Sequence, residues 1–145
     1  KAIMPGGASS AILTTENLDV PLDFESLKKL DSMLGSGAVI VMNEDICMVE
    51  AAHNIMSFFS HESCGQCTPC REGTHWVYKI LSRILKGDGN NEDIRNLLEL
   101  ADNMSGTSIC ALSDGAAMAF RSYIQRYKSE FEYHILHKEC NLVKT

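Results

Sequence analysis

No stretch of this sequence is apolar for long enough to cross a bilayer, which takes about 20 predominantly apolar residues, and its first residues lack the pattern of a secretion signal. Any membrane association is therefore expected through a partner, with no direct membrane contact. Positive charge is in deficit as well: 13 Lys and Arg against 19 Asp and Glu leave a net charge of −6. Phosphates would be repelled, so nucleic acid is not an expected partner. A dinucleotide fingerprint and a phosphate loop are both missing, because neither PGG at 5–7 nor GSG at 35–37 has the strand-loop-helix spacing they require. No nucleophile with an adjacent base stands out, and there is no internal repeat or low-complexity segment. An initiator methionine is also lacking. The chain opens Lys1-Ala2-Ile3 straight into an apolar run, which reads as a piece of a longer protein.

What the chain does have is cysteine, 6 in 145 residues. Without an export signal these point to a reducing compartment, where thiols bind metals or sit in cores more often than they pair as disulfides. Three of them, Cys64, Cys67 and Cys70, fall in SCGQCTPCREGTHW at 63–76. Bridging cysteines across a two-residue loop is strained outside redox-active pairs. Three thiolates on one tight loop can instead cap one side of a compact metal site. Ferredoxin loops use this run to hold an iron-sulfur cluster and complete it with a fourth cysteine. The nearby fourth position is occupied here by Thr74, so a distant ligand is needed.

The surrounding pattern supplies one. Residues 1–45 carry glycine punctuation, a helical run over DFESLKKLDSML ending at Gly35, and AVIVM at 38–42 as a buried strand, a partial α/β segment. From Asp45, a plausible N-cap, the pattern is helical. Met48, Ala52, Ile55 and Phe59 mark a first helix, and Val77, Leu81 and Ile84 a second that stops at Gly87. Ile94, Leu97, Ala101 and Met104 mark a third, and Ala117 through Ile135 a fourth that begins near Ser113 or Asp114. The expected fold is mainly α: a four-helix bundle over 46–137 carrying the cysteine loop, followed by a tail at 138–145. In an antiparallel bundle, the turn between the third and fourth helices lies at the same pole as the cysteine loop. Cys110 sits in that turn, in GTSICALSDGA, with Gly106 and Gly115 on either side to let the backbone fold closely. Cys47 is placed a helix length away and Cys140 in the tail beyond the last helix, both at the far pole. The expected ligands are therefore Cys64, Cys67, Cys70 and Cys110, with Cys47 as a core thiol and Cys140 as a tail residue. His61 and His75 are expected to be hydrogen-bonding neighbours of the loop.

Zinc is the competing metal, although structural zinc sites usually come as two separated pairs of ligands. A cluster is favoured electrostatically by helix N-termini just after the ligands and by Arg71 beside Cys70, which either tunes the cluster or pairs with Glu72 or Glu62. Pro69 fixes the loop before its third cysteine. Lys79, Arg83 and Lys86 form a basic stripe that reads as a solvated face. Four cysteine ligands with no open position make an electron carrier, and one-electron transfer is the expected task.

ESCGQCTPCREGT followed by TSICALSDGAA, with PGGASSAIL, PLDFESL and MLGSGAVIVM ahead of them, resembles the C-terminal part of the NADH-binding flavoprotein subunit of NADH:quinone oxidoreductase, respiratory complex I. The likeness runs to about His134. It implies a 4Fe-4S cluster on Cys64, Cys67, Cys70 and Cys110, fed one electron at a time from FMN reduced by NADH. It also implies that residues 1–45 belong to a ubiquitin-like, soluble-ligand-binding β-grasp domain. The FMN and NADH segments of the family lie upstream, so this chain alone is expected to relay electrons and not to oxidise NADH. Implied partners are the other subunits of the complex, including a small ferredoxin-like one. The implied location is the cytoplasm, peripheral to the inner membrane, or the mitochondrial matrix side. Related NAD-dependent hydrogenases and formate dehydrogenases are the alternative parents, although one cysteine in HKECNLVKT cannot make the ferredoxin extension they carry there. A zinc-stabilised interaction module is the alternative of a different class.

Overall fold

The computed structural model describes residues 1–142; the last three residues of the tail, 143–145, lie outside the described residues. Most of the chain is helical. Its helices are α1 (Phe24–Lys28), α2 (Met48–Glu62), α3 (Thr68–Leu85), α4 (Asp93–Met104), α5 (Leu112–Arg126) and α6 (Lys128–His137). Three short strands, β1 (Ala2–Met4), β2 (Leu13–Thr14) and β3 (Ile40–Met42), form an antiparallel sheet in the order β2-β1-β3.

The bundle forms because each long helix carries an apolar stripe at helical spacing. Met48, Ala52, Met56 and Phe59 on α2 meet Val77, Leu81 and Ile84 on α3, while α4 contributes Leu97, Ala101 and Met104. Helix α5 lies against all three and buries Ala116, Ala117, Phe120, Tyr123 and Ile124. Fully burying a side chain such as Phe120 is worth about 1.5–3 kcal/mol. The sheet joins the same core through Ala2, Met4, Ile12 and Met42. The N-terminal segment is tied down by polar contacts as well: the Ile12 N–H donates to Ser122 Oγ at 2.9 Å, and the Tyr123 hydroxyl donates to Met4 Sδ at 3.3 Å.

Several local expectations are corrected. AVIVM is not a buried strand, since the edge strand begins only at Ile40, Ile40 and Val41 are exposed on it as Val39 is before it, and only Met42 turns inward. Helix α1 ends at Lys28, well before Gly35. Asp31, at φ 54°, reverses the chain there, and the Ser32 N–H bonds back to the Leu27 carbonyl, so a Schellman-type end forms without glycine. The two glycine turns pack on each other. A Cβ on Gly6 would stand 2.3 Å from the Met33 carbonyl oxygen, and one on Gly35 2.4 Å from that of Gly6. The N-cap of α2 is Cys47, not Asp45. The second bundle helix does stop at a glycine, because Gly87, at φ 81°, and Asp88 bond back to Ile84 and Arg83. The expected last helix is two, α5 and α6, broken at Tyr127, whose hydroxyl donates to the Lys1 carbonyl.

Candidate metal centre

Helix α2 ends at Glu62 and α3 begins at Thr68, so the connection between them is too short to move far from either helix. Cys67 is the N-cap of α3, Pro69 lies in the first turn, and Cys70 sits one turn in with 6% of its surface exposed. Proline suits this turn because its missing N–H has no intrahelical partner there in any case. Gly65 takes φ 80°, which lets the chain double back between Cys64 and Cys67. Cys64 is exposed and Cys67 partly so.

The loop is held by its own polar groups. Ser63 Oγ lies 3.3 Å from Cys70 Sγ and accepts the Gly65 N–H at 3.4 Å. Arg71 donates to the Gly65 carbonyl at 2.7 Å and pairs with Glu72 at 2.9 Å. It thus ties the loop to the helix and pairs with Glu72, not Glu62. Among the described residues, His61 and His75 are exposed and make no side-chain hydrogen bond to the loop, so the expected neighbours are replaced by Ser63 and Arg71.

The turn between α4 and α5 comes to the same pole. Gly106, at φ 69°, bends the chain, and its N–H donates to Asp114 at 2.6 Å. Thr107 and Ser113 hydroxyls donate to the last carbonyls of α4. The Ile109 N–H then donates to Cys67 Sγ at 3.4 Å. That bond puts the residue next to Cys110 against the cysteine loop, and Cys110 itself is exposed. Gly115 serves a different purpose from the one expected. It lies within α5, where a Cβ would meet Ser9 at 2.8 Å, so its small size admits the N-terminal segment. Gly73 does the same for the bundle, since a Cβ there would stand 2.7 Å from Met104 of α4. This close approach draws α4, and the turn after it, towards the base of the loop.

These features suit a multi-atom cluster. The cysteine loop, the first turn of α3 and the turn between α4 and α5 carry the four thiols, and the N-terminus of α3 lies at the same end.

The other two cysteines lie at the opposite end of α2, a span of roughly 22 Å for its 15 residues. Burial pushes the Cys47 thiol up to about 11, with the neighbouring Cys140 adding to the shift. Cys140 is more than a tail residue. It is half-buried and packs against the core beside Cys47 and His134, a convergence that no local sequence signal announces.

Residues 50–134 match the family described as NADH-ubiquinone oxidoreductase-F iron-sulfur binding region. The chain is 45% identical over 140 residues to the NADH-quinone oxidoreductase F 2 subunit of Rhizobium meliloti, covering 97% of this chain and 33% of that protein. It is 47% identical over 131 residues to the NADH-quinone oxidoreductase F subunit of Mycobacterium bovis, covering 90% of this chain and 29% of that one. The chain thus spans about a third of the length of the curated relatives it matches. Its fold is shared by a chain of the NAD+-reducing [NiFe]-hydrogenase, in crystal structures of the H2-reduced and air-oxidized states. There the TM-score is 0.82 at 31% identity, over 92% of this chain and 23% of that one.

Proposed function

The chain belongs to the NADH-ubiquinone oxidoreductase-F iron-sulfur binding family, and from that premise we propose that it relays single electrons through a 4Fe-4S cluster in the NADH-oxidising subunit of an NADH:quinone oxidoreductase. The observation that carries the ligand set is the hydrogen bond from the Ile109 N–H to Cys67 Sγ at 3.4 Å. It supports a site in which Cys64, Cys67 and Cys70 from one loop and Cys110 from the other hold the cluster together. When bound, such a cluster supplies a one-electron site with no open coordination position. The chain's own residues hold the loop in shape through Ser63 and Arg71, whose charge is paired with Glu72, and keep Cys70 out of water. Each of these sets hydrogen bonding, charge or solvent exposure around the sulfurs, which are the levers that tune a cluster's potential.

The longer protein is proposed to carry FMN and NADH upstream of residue 1 and to pass electrons onward to other subunits, including a ferredoxin-like one. Residues 1–45 are assigned to a β-grasp domain of that protein and 46–137 to the cluster-bearing bundle. The parent complex is proposed to sit at the inner membrane on its cytoplasmic or matrix side. Among the described residues no helix is long and apolar enough to cross a membrane. A component of an NAD-reducing hydrogenase is the second reading, supported by the likeness in fold. Identities of 45–47% to the quinone-linked subunits, against 31% to the hydrogenase, favour the first.

Anaerobic purification followed by iron, acid-labile sulfide and zinc analysis tests the proposal. The expected result is iron and sulfide in equal amounts, near four of each per chain, with a paramagnetic signal on reduction. Zinc at the loop cysteines without sulfide would sink it. A Cys110→Ser chain that still assembled the full complement would overturn the choice of fourth ligand.

A further inference from the structure

We propose that Cys47, His134 and Cys140 form a second metal site, for a divalent ion of the zinc class, which staples the end of α6 to the start of α2. Cys47 stands at the start of α2, whereas His134 lies in the last turn of α6 and Cys140 just beyond it. Their ligand atoms nevertheless all lie within 4.8 Å of one another, with Cys47 Sγ 3.3 Å from His134 Nε2. Ligands on one zinc ion, at Zn–S about 2.3 Å and Zn–N about 2.0 Å in a tetrahedron, stand roughly 3.4–3.8 Å apart. Side-chain adjustments of about an ångström therefore close the set. Two sulfurs and an imidazole are the donors zinc takes, whereas calcium and magnesium take oxygen.

The site is built into the fold rather than assembled from surface groups. Cys47 and His134 have only 5% and 3% of their surfaces exposed. Cys47 is fixed by its place as the N-cap of α2, and its sulfur accepts the Glu50 N–H at 3.5 Å. Cys140 is returned towards α6 by Lys138, which takes the left-handed conformation at φ 60°. That turn packs on Gly87, where a Cβ would stand 3.0 Å from the Lys138 carbonyl oxygen. The Cys140 sulfur accepts the Leu142 N–H at 3.4 Å, so each sulfur already receives an amide hydrogen bond of the kind that supports a bound thiolate. Beside Cys47 lies an open hollow of about 380 Å³ lined by Asp45, Ile46, Glu50, Ala51 and Asn54. It opens the Cys47 side of the set to solvent, and three protein ligands leave a fourth position for a water molecule. The site lies at the far end of α2 from the Cys64 loop and does not depend on the reading of that loop.

Cobalt(II) is the probe, because it occupies zinc sites and its thiolate complexes absorb in the near ultraviolet and visible. The loop is silenced by making the full chain with Cys64→Ser, Cys67→Ser and Cys110→Ser. This chain is expected to bind one equivalent of cobalt, with a thiolate-to-metal band and tetrahedral d–d bands, and to release it to one equivalent of zinc. Adding Cys140→Ser is expected to weaken binding by about a hundredfold or more and to remove the thiolate band, as loss of a direct ligand exceeds the 10–100-fold cost of losing an outer partner. No thiolate band in the silenced chain, or one unchanged by Cys140→Ser, overturns the proposal. A second measurement keeps all six cysteines. Iodoacetamide labelling, read by peptide mass, is expected to slow at Cys47 and Cys140 by at least tenfold when zinc is added to the cluster-loaded chain. Equal labelling rates with and without zinc overturn the proposal independently of how the substituted chain folds.

Discussion

Arg83 does more than its sequence neighbours announce. It sits in a stripe with Lys79 and Lys86 that reads as a solvated face, and all three are exposed. In the fold it reaches across to Asp93, a carboxylate with no exposed surface at the start of α4. Asp93 also accepts the Asn90 N–H at 2.9 Å, which closes the turn between α3 and α4. Removing the cation leaves a buried charge with one remaining partner. Arg83→Met is expected to cost about 1–3 kcal/mol, less than the 3–5 of a fully buried pair because Arg83 itself meets water. Chemical denaturation measures this, and an unchanged midpoint would contradict the assigned role. The cysteine run, by contrast, is a local pattern whose spacing alone points to metal binding.

At the scale of elements, α6 completes α2. Glu130, mostly buried, accepts the Met48 N–H at 3.0 Å and the Lys1 ammonium at 2.7 Å. It brings an acceptor and a negative charge to the N-terminus of a helix whose own N-cap is a cysteine, a poor acceptor. Glu130→Ala is expected to destabilise the chain by about 1–2 kcal/mol and to speed amide exchange in the first turn of α2. Glu130→Gln, which keeps an oxygen acceptor, is expected to recover part of the loss. If exchange in that turn is unaffected by Glu130→Ala, the cap is not the source of the stability. Helix existence was legible from apolar spacing, while the break between α5 and α6 was not. The apolar spacing runs through Tyr127 without a change of phase, and the contact that accompanies the break is with Lys1, 126 residues away.

For the molecule as a whole, histidine burial contributes to the response to acid. His53 links α2 to α3, with Nε2 2.9 Å from Ser82 Oγ and its ring stacked on Tyr78. Burial lowers its pKa below the ordinary value, partly offset by the charge of Glu50, and burial lowers that of His134 likewise. The unfolded chain therefore takes up these protons at a higher pH than the folded one. Their contribution to stability is complete above the unfolded value of about 6.5 and declines as pH falls below it. The urea midpoint is expected to drop between pH 7.5 and 5.5, and His53→Gln to make that drop shallower. A His53→Gln chain with the same pH dependence as the parent would rule out His53 as a contributor.

By itself the sequence determined that the long helices exist and that the cysteine loop suits a metal, because these depend on residues a few positions apart, whose spacing is set by helix and loop geometry. It also carried the meeting of Cys110 with that loop as an expectation, since short links between helices leave little choice of which turns share a pole. Only the tertiary structure decided the meeting of Cys47, His134 and Cys140, the pairing of Arg83 with Asp93, and the packing of the PGG and GSG turns against each other. These contacts depend on the relative rotation and depth of elements, which side-chain packing sets at the level of ångströms and which a periodic pattern does not encode.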